Sequence, residues 1–180
     1  MAEEAAEEAV ARALATARRR KPYVATEALL RAYAASAAVT PYLVSRLDPA
    51  IWRTKPEFPG AKPIAWLVAH LHNCGLRYLE RTAPGVPVPQ ELDRFRVTPA
   101  QAVRALRAKQ KAVLTIVGAA LRGDGRIAGF QYSAAEYLAY YMVHDGHHRG
   151  QIFQLARMLG RPLDPKTMAG AWQWGARAGE

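Results

Sequence analysis

The segment of residues 133–160 constrains the fold of this chain more than any other. Ser133 and Glu136 have the spacing of a capping box, which marks the start of a helix. Gly160, followed by Pro162, is a strong signal for a helix end. An amphipathic pattern connects the two signals, so the sequence predicts one long helix that runs to Leu159 and packs one face against neighbours.

Three further helices are predicted upstream from periodicity and helix-end signals. The first covers residues 26–47, and Pro41 is expected to kink it or split it in two. The second covers residues 63–82. The third begins with the capping box of Thr98 and Gln101 and runs to about Arg122. No strand pattern is present, so we expect an all-α fold, a four-helix bundle.

The chain is expected to form a single domain over residues 1–180. Residues 1–21 are interpreted as an N-terminal helical extension, residues 26–162 as the bundle core and residues 163–180 as a tail. The tail contains Trp172 and Trp174 and is expected to lie across the bundle. Acidic residues stand where a signal peptide would be basic, and no apolar run reaches membrane-spanning length. We therefore expect a cytoplasmic protein that does not enter a membrane.

The formal net charge of +10 raises the question of an anionic partner. Only residues 18–21 form a dense basic run, and no nucleic-acid-binding motif is present. We therefore expect a small anionic substrate rather than nucleic acid. The alternative is that the net charge comes from arginines scattered over solvent-exposed helix faces and implies no anionic partner.

Three of the five histidines lie within residues 144–148 of the last long helix. His144 and His148 are four residues apart, so both imidazoles lie on one helix face and could bind one metal ion. The alternative from spacing alone is a solvated polar patch. His147 falls to the side of this stripe and is expected to lie outside the site. On the second predicted helix, His70 and Cys74 share a face, whereas His72 falls nearly opposite.

Two strings in the chain resemble a known family. The sequence HxxxHRGQ at residues 144–151 is similar to the last helix of the DinB/YfiT-like four-helix-bundle metalloproteins. The sequence WLVAHL at residues 66–71 is similar to the second helix of that family, and the likeness covers roughly residues 26–162. The resemblance implies a metal site formed by His70, His144 and His148, with one or more positions open.

The same resemblance implies an activity. Zinc and nickel both occur in the family, and its characterised members include transferases and isomerases that use a low-molecular-weight thiol. We therefore expect a divalent metal, zinc or nickel, and a thiol-dependent S-transferase or isomerase-like reaction. The alternatives are a metal-dependent hydrolase of a small substrate and a non-catalytic metal-binding bundle that binds a partner or nucleic acid.

Candidate catalytic residues lie beside the histidines. Gln151 could orient a histidine ligand by a hydrogen bond. Cys74 could be a fourth ligand or a reactive thiol, and the alternative is a small buried apolar residue. Tyr137 and Tyr141 are interpreted as pocket wall, or as a hydroxyl that donates to substrate. Arg149 is expected to point away and pair with a carboxylate or lie at an interface.

Two further expectations concern a rival mechanism and assembly. The segment with His144, Asp145 and His148 differs from the metalloprotease motif HExxH by one methylene in the acidic side chain, and this shorter acid disfavours a protease.

The last helix also carries a second apolar strip, formed by Leu138, Met142 and Phe153. Because such a strip must be covered, a homodimer is expected, with the N-terminal helix as the alternative cover.

Overall fold

The computed structural model describes residues 5–8, 24–83 and 85–179, and the described chain is all-helical without a β-strand. Residues 5–8 are helical, and the rest of the predicted N-terminal helix lies outside the described residues. The all-α prediction is confirmed. The helices are α1 (Ala25–Val44), α2 (Ile64–Thr82), α3 (Pro99–Arg122), α4 (Ala134–Met158), α5 (Pro165–Gly170) and α6 (Trp174–Arg177), with a 3-10 turn at Pro49–Ile51.

Both predicted capping boxes are present. The amide of Gln101 donates to Thr98 Oγ1 at 3.2 Å, and the amide of Thr98 donates to Gln101 Oε1 at 2.8 Å. Ser133 and Glu136 make the reciprocal pair at the start of α4. These bonds satisfy amides that have no partner within a helix, which fixes where α3 and α4 begin.

The prediction that Pro41 kinks or splits the first helix is corrected in one respect, because α1 is continuous through this residue. Pro41 lies in the last turn of α1, where its carbonyl still accepts a hydrogen bond from the amide of Ser45 at 3.1 Å. The helix ends at Val44 rather than at the predicted Leu47. A proline this close to a helix end removes one hydrogen bond without dividing the helix.

The four long helices form a bundle in which α1 and α2 each contact both α3 and α4, and α3 also contacts α4. The pairing of α2 with α4 brings the two histidine-bearing helices side by side. Two apolar clusters follow each other along the bundle, one around Leu71 and Ile152 and another around Tyr33 and Leu138. None of the helices that the structure describes could span a bilayer by length and hydropathy.

The second apolar strip of α4 is covered within the same chain. Leu138 is fully buried in a cluster with Tyr33 of α1, and Phe153 packs against Tyr42 and Leu43 of α1. Ala171, which follows α5, joins the last cluster, so the tail lies against the bundle as expected. The strip therefore does not require a second chain to cover it. The homodimer remains a prediction, but this strip is no longer its expected interface.

Candidate metal centre

Three histidines from two helices converge where α2 and α4 pack together. One ring nitrogen each from His70, His144 and His148 lies within 4.8 Å of the others. The ring centroids are 4.6 Å apart for His144 and His148 and 5.0 Å apart for His70 and His148. Residues one turn apart on α4 supply two donors on one face, and the neighbouring α2 supplies the third. The cluster could hold a metal ion.

The electrostatics of the cluster favour neutral imidazoles, which is the form that binds metal. Burial, followed by the neighbouring His148, lowers the pKa of His144 to about 4. Burial is also the main cause that lowers the pKa values of His70 and His148, and the charge of Arg94 lowers that of His70 further. His148 is buried, whereas His70 and His144 are only half-buried, so one side of the cluster is open.

Neighbouring side chains hold two of the rings in place. Nδ1 of His148 lies 2.7 Å from Oε1 of Gln151, as expected for a residue that orients a ligand. The indole of Trp66 stacks on His70, with ring centroids 5.3 Å apart and planes 12° apart. These contacts favour one orientation for the rings of His148 and His70.

Cys74 lies beside the cluster and not within it. Its Sγ is 3.5 Å from Nδ1 and 3.7 Å from Nε2 of His70, one helical turn away. The group of mutually close donor atoms contains the three histidines without this sulfur. The thiol is half-buried and in hydrogen-bonding contact with a candidate ligand.

The tyrosines separate into a buried pair and an exposed one. Tyr141 is 2 % exposed and its hydroxyl donates to the carbonyl of Gly75 at 2.7 Å, while Tyr137 contacts the hydroxyl of Thr82. Burial raises the pKa of Tyr141 far above the ordinary value. Tyr140 instead lies half-exposed with its ring parallel to His144, at 6.1 Å between centroids. Sequence reasoning missed Tyr140, although its position four residues before His144 could have identified it.

A buried ion pair lies next to the cluster, and sequence reasoning did not predict it either. Nζ of Lys109 on α3 is 3.5 Å from Oδ1 of Asp145, and both side chains are almost fully buried. Lys109 also donates to the carbonyl of Leu71 at 3.3 Å. The carboxylate of Asp145 is thus directed to the bundle interior, which further disfavours the role of a protease base.

The remaining polar residues of the motif, Arg149 and His147, lie outside the group of three converging nitrogens. Arg149 donates to the carbonyl of Ser36 on α1 at 2.7 Å and lies 3.3 Å from its hydroxyl oxygen. Of the two alternatives expected for Arg149, the carboxylate partner is not found among the described residues, because its partners are the backbone carbonyl and the hydroxyl of Ser36. His147 is exposed and lies outside the three-histidine group.

Two surface cavities flank the cluster and share the loop residues 60–62. The first, which we call the cationic pocket, has a volume of about 400 Å³ and contains Trp66. Its other polar and aromatic walls are Arg53, Lys55, Lys62, Arg94 and Phe95. The second, which we call the apolar pocket, has a volume of about 490 Å³ and is lined by Phe58, Leu67, His147, Gln151 and Met158.

Comparison with known proteins identifies the family of this chain. The family model described as the DinB superfamily matches residues 32–152, a span that includes all three clustered histidines. No curated protein and no solved structure matches the chain.

Proposed function

The chain belongs to the DinB superfamily, and we propose that it is a metal-dependent enzyme whose ligands are His70, His144 and His148. The convergence of three imidazole nitrogens within 4.8 Å supports this proposal most directly. Three neutral protein ligands that leave a side open are typical of a catalytic metal rather than a structural one. Imidazole donors suit zinc and nickel, and the proposed metal is one of these.

The proposed reaction is a thiol-dependent S-transfer or isomerisation with a low-molecular-weight thiol as cosubstrate. A divalent metal in such a site supplies Lewis acidity, which favours the thiolate form of a thiol. In a transfer, sulfur forms a bond to an electrophilic carbon while the leaving group departs with the electron pair of the broken bond.

The chain's own residues would bind and orient the reactants. Gln151 fixes the ring of His148, and it also lines the apolar pocket, which could accept the apolar part of an electrophile. Tyr140 forms an exposed aromatic wall beside His144. Cys74 and Tyr141 are weaker candidates, because the hydroxyl of Tyr141 is buried against a backbone carbonyl and the sulfur of Cys74 lies outside the group of three nitrogens.

The test is the metal content and turnover of untagged protein purified after growth in medium with added zinc and nickel. We expect about one metal ion per chain, together with metal-dependent loss of thiol when an electrophile is supplied. Protein without bound metal would contradict the proposal. Metal-dependent hydrolysis of an ester or amide, without thiol consumption, would instead support the hydrolase alternative.

Assembly is a separate proposal. We propose a homodimer that buries a surface other than the strip already covered by α1. Light scattering that gives the mass of one chain at all concentrations would contradict it.

A further inference from the structure

The cationic pocket lies next to the histidine cluster, and Trp66 is the wall between them. One side of this indole stacks on His70. Lys62 and Arg94 both lie over the same ring, with the Lys62 nitrogen 5.5 Å and the Arg94 guanidinium carbon 4.9 Å from its centroid. A molecule in this pocket would therefore be separated from the metal ligands by one aromatic side chain.

The cationic side chains of this pocket lack acidic partners in the part of the chain that the structure describes. Lys55, Lys62 and Arg94 have no carboxylate partner within ion-pair distance among the described residues, and no acidic residue lines the cavity. Asp93, in the same loop as Arg94, accepts hydrogen bonds from the amides of Phe95 and Arg96 instead. Like charges held close together without a counter-charge create a positive potential that attracts an anion.

The helix behind the pocket adds to this potential. The cavity is lined by Pro63 and Ala65 at the start of α2, where no side chain caps the helix and the amide of Ala65 donates to the carbonyl of Trp52 at 2.9 Å. The first turn of α2 also contains no acidic residue. The positive end of the helix dipole therefore contributes to the same cavity as the four cationic side chains.

Hydrogen bonds connect the two loops that form the pocket, so the fold fixes its shape. The indole nitrogen of the buried Trp52 donates to the carbonyl of Val97 at 2.9 Å. The guanidinium of Arg53 donates to carbonyls of residues 95–97. These bonds join the loop that carries Lys55 and Lys62 to the loop that carries Arg94.

We propose that the cationic pocket binds a carboxylate or phosphate group of the small molecule that reacts at the histidine cluster. Binding of the anion rests on the pocket alone, and only its identification as part of the substrate rests on the proposed function. The cavity is concave and of small-molecule size, which favours a compact anionic group over a nucleic-acid strand.

The experiment measures anion binding by calorimetry with metal-free protein, so that failure of the proposed enzymatic function does not affect it. The probes are inorganic pyrophosphate and glutarate, which distinguish a phosphate site from a carboxylate site. We expect one probe to bind with a stoichiometry of about one and to bind more weakly as sodium chloride is raised. In the double variant Lys62→Met/Arg94→Met, the affinity should fall about tenfold or more, because two charge-assisted contacts are lost.

The matched control is Arg107→Met/Lys111→Met, which removes the same charge from exposed positions on α3. This control should bind the probe as the parent does. Equal loss in both double variants, or no binding of either probe to the parent, would overturn the proposal. Binding of a single-stranded oligonucleotide that depends on Lys62 and Arg94, without binding of the small probes, would also overturn it.

Discussion

Nδ1 of His148 lies 2.7 Å from the side-chain oxygen of Gln151, three residues further along α4. Because an amide oxygen only accepts hydrogen bonds, Nδ1 carries the proton and Nε2 keeps its lone pair. In this tautomer Nε2 of His148 is the nitrogen that would bind the proposed metal.

We expect Gln151→Leu to weaken metal binding by about 10- to 100-fold, because the ring of His148 loses the partner that fixes its tautomer and orientation. Competition with a chromophoric chelator measures this affinity. Gln154→Leu is the matched control, since Gln154 lies on the same helix and is exposed. Equal effects of the two substitutions would contradict the role of Gln151.

The adjacent histidines should behave differently. His148→Ala should abolish tight metal binding, because it removes one of three converging nitrogens. His147→Ala should weaken metal binding only modestly, because the exposed ring of His147 contacts His148 but does not belong to the group of three converging histidines. Metal stoichiometry after dialysis compares the two, and the reverse ranking would refute the assignment of ligands on α4.

The buried pair of Lys109 and Asp145 should matter for stability. Lys109→Met should lower the free energy of unfolding by about 3–5 kcal/mol, because it leaves the carboxylate of Asp145 buried without a counter-charge. The double variant Lys109→Met/Asp145→Leu should recover most of this loss, because no isolated charge remains. Urea unfolding of Lys109→Met, Asp145→Leu and the double variant measures the interaction energy between the two side chains. A double variant no more stable than Lys109→Met would contradict this prediction.

Gly75 allows the close approach of α3 and α4 to α2. A Cβ at this position would lie 2.7 Å from Cδ of Lys109 and 3.1 Å from Cε1 of Tyr141. Gly75→Ala should therefore destabilise the protein by about 1–3 kcal/mol. At Gly150 in α4 a Cβ meets nothing within 4 Å, so Gly150→Ala should stabilise by up to about 1 kcal/mol. Thermal and urea unfolding distinguish the two, and a neutral or stabilising Gly75→Ala would show that the contact relaxes easily.

His72 should make stability depend on pH. Its side chain is fully buried, Nε2 donates to the carbonyl of Gln90 at 3.0 Å, and burial lowers its pKa to about 4. The unfolded chain, with a histidine pKa of about 6.5, binds the proton more readily between these two values. The stability from neutral His72 is therefore complete above about pH 6.5 and decreases towards pH 4, by at most about 1.4 kcal/mol per pH unit.

The measurement compares metal-free parent protein with His72→Leu by urea unfolding across this pH range. The parent should lose stability relative to the variant as the pH falls, while the other histidines contribute equally to both. Parallel stability curves would contradict the assignment. The exposed His147→Leu is the control, and its curve should follow that of the parent.

The sequence by itself determined the features that depend on residues within about four positions of one another. Capping residues such as Thr98 and Ser133 set the helix starts, because a cap satisfies amides of the adjacent turn. The one-turn spacing of His144 and His148, and the position of Gln151 beside them, follow from the same local periodicity. The family strings added His70, which no local rule could connect to α4.

Only the tertiary structure decided how the helices are rotated and which distant groups meet. Tyr141, expected beside the site, is buried against Gly75, while Tyr140 lies beside His144. The pairing of Lys109 with Asp145 joins residues from different helices. The cationic pocket likewise combines two loops with the start of α2. Helical periodicity specifies a face to within a broad arc, but side-chain packing between helices selects the rotation, and that depends on contacts far apart in the sequence.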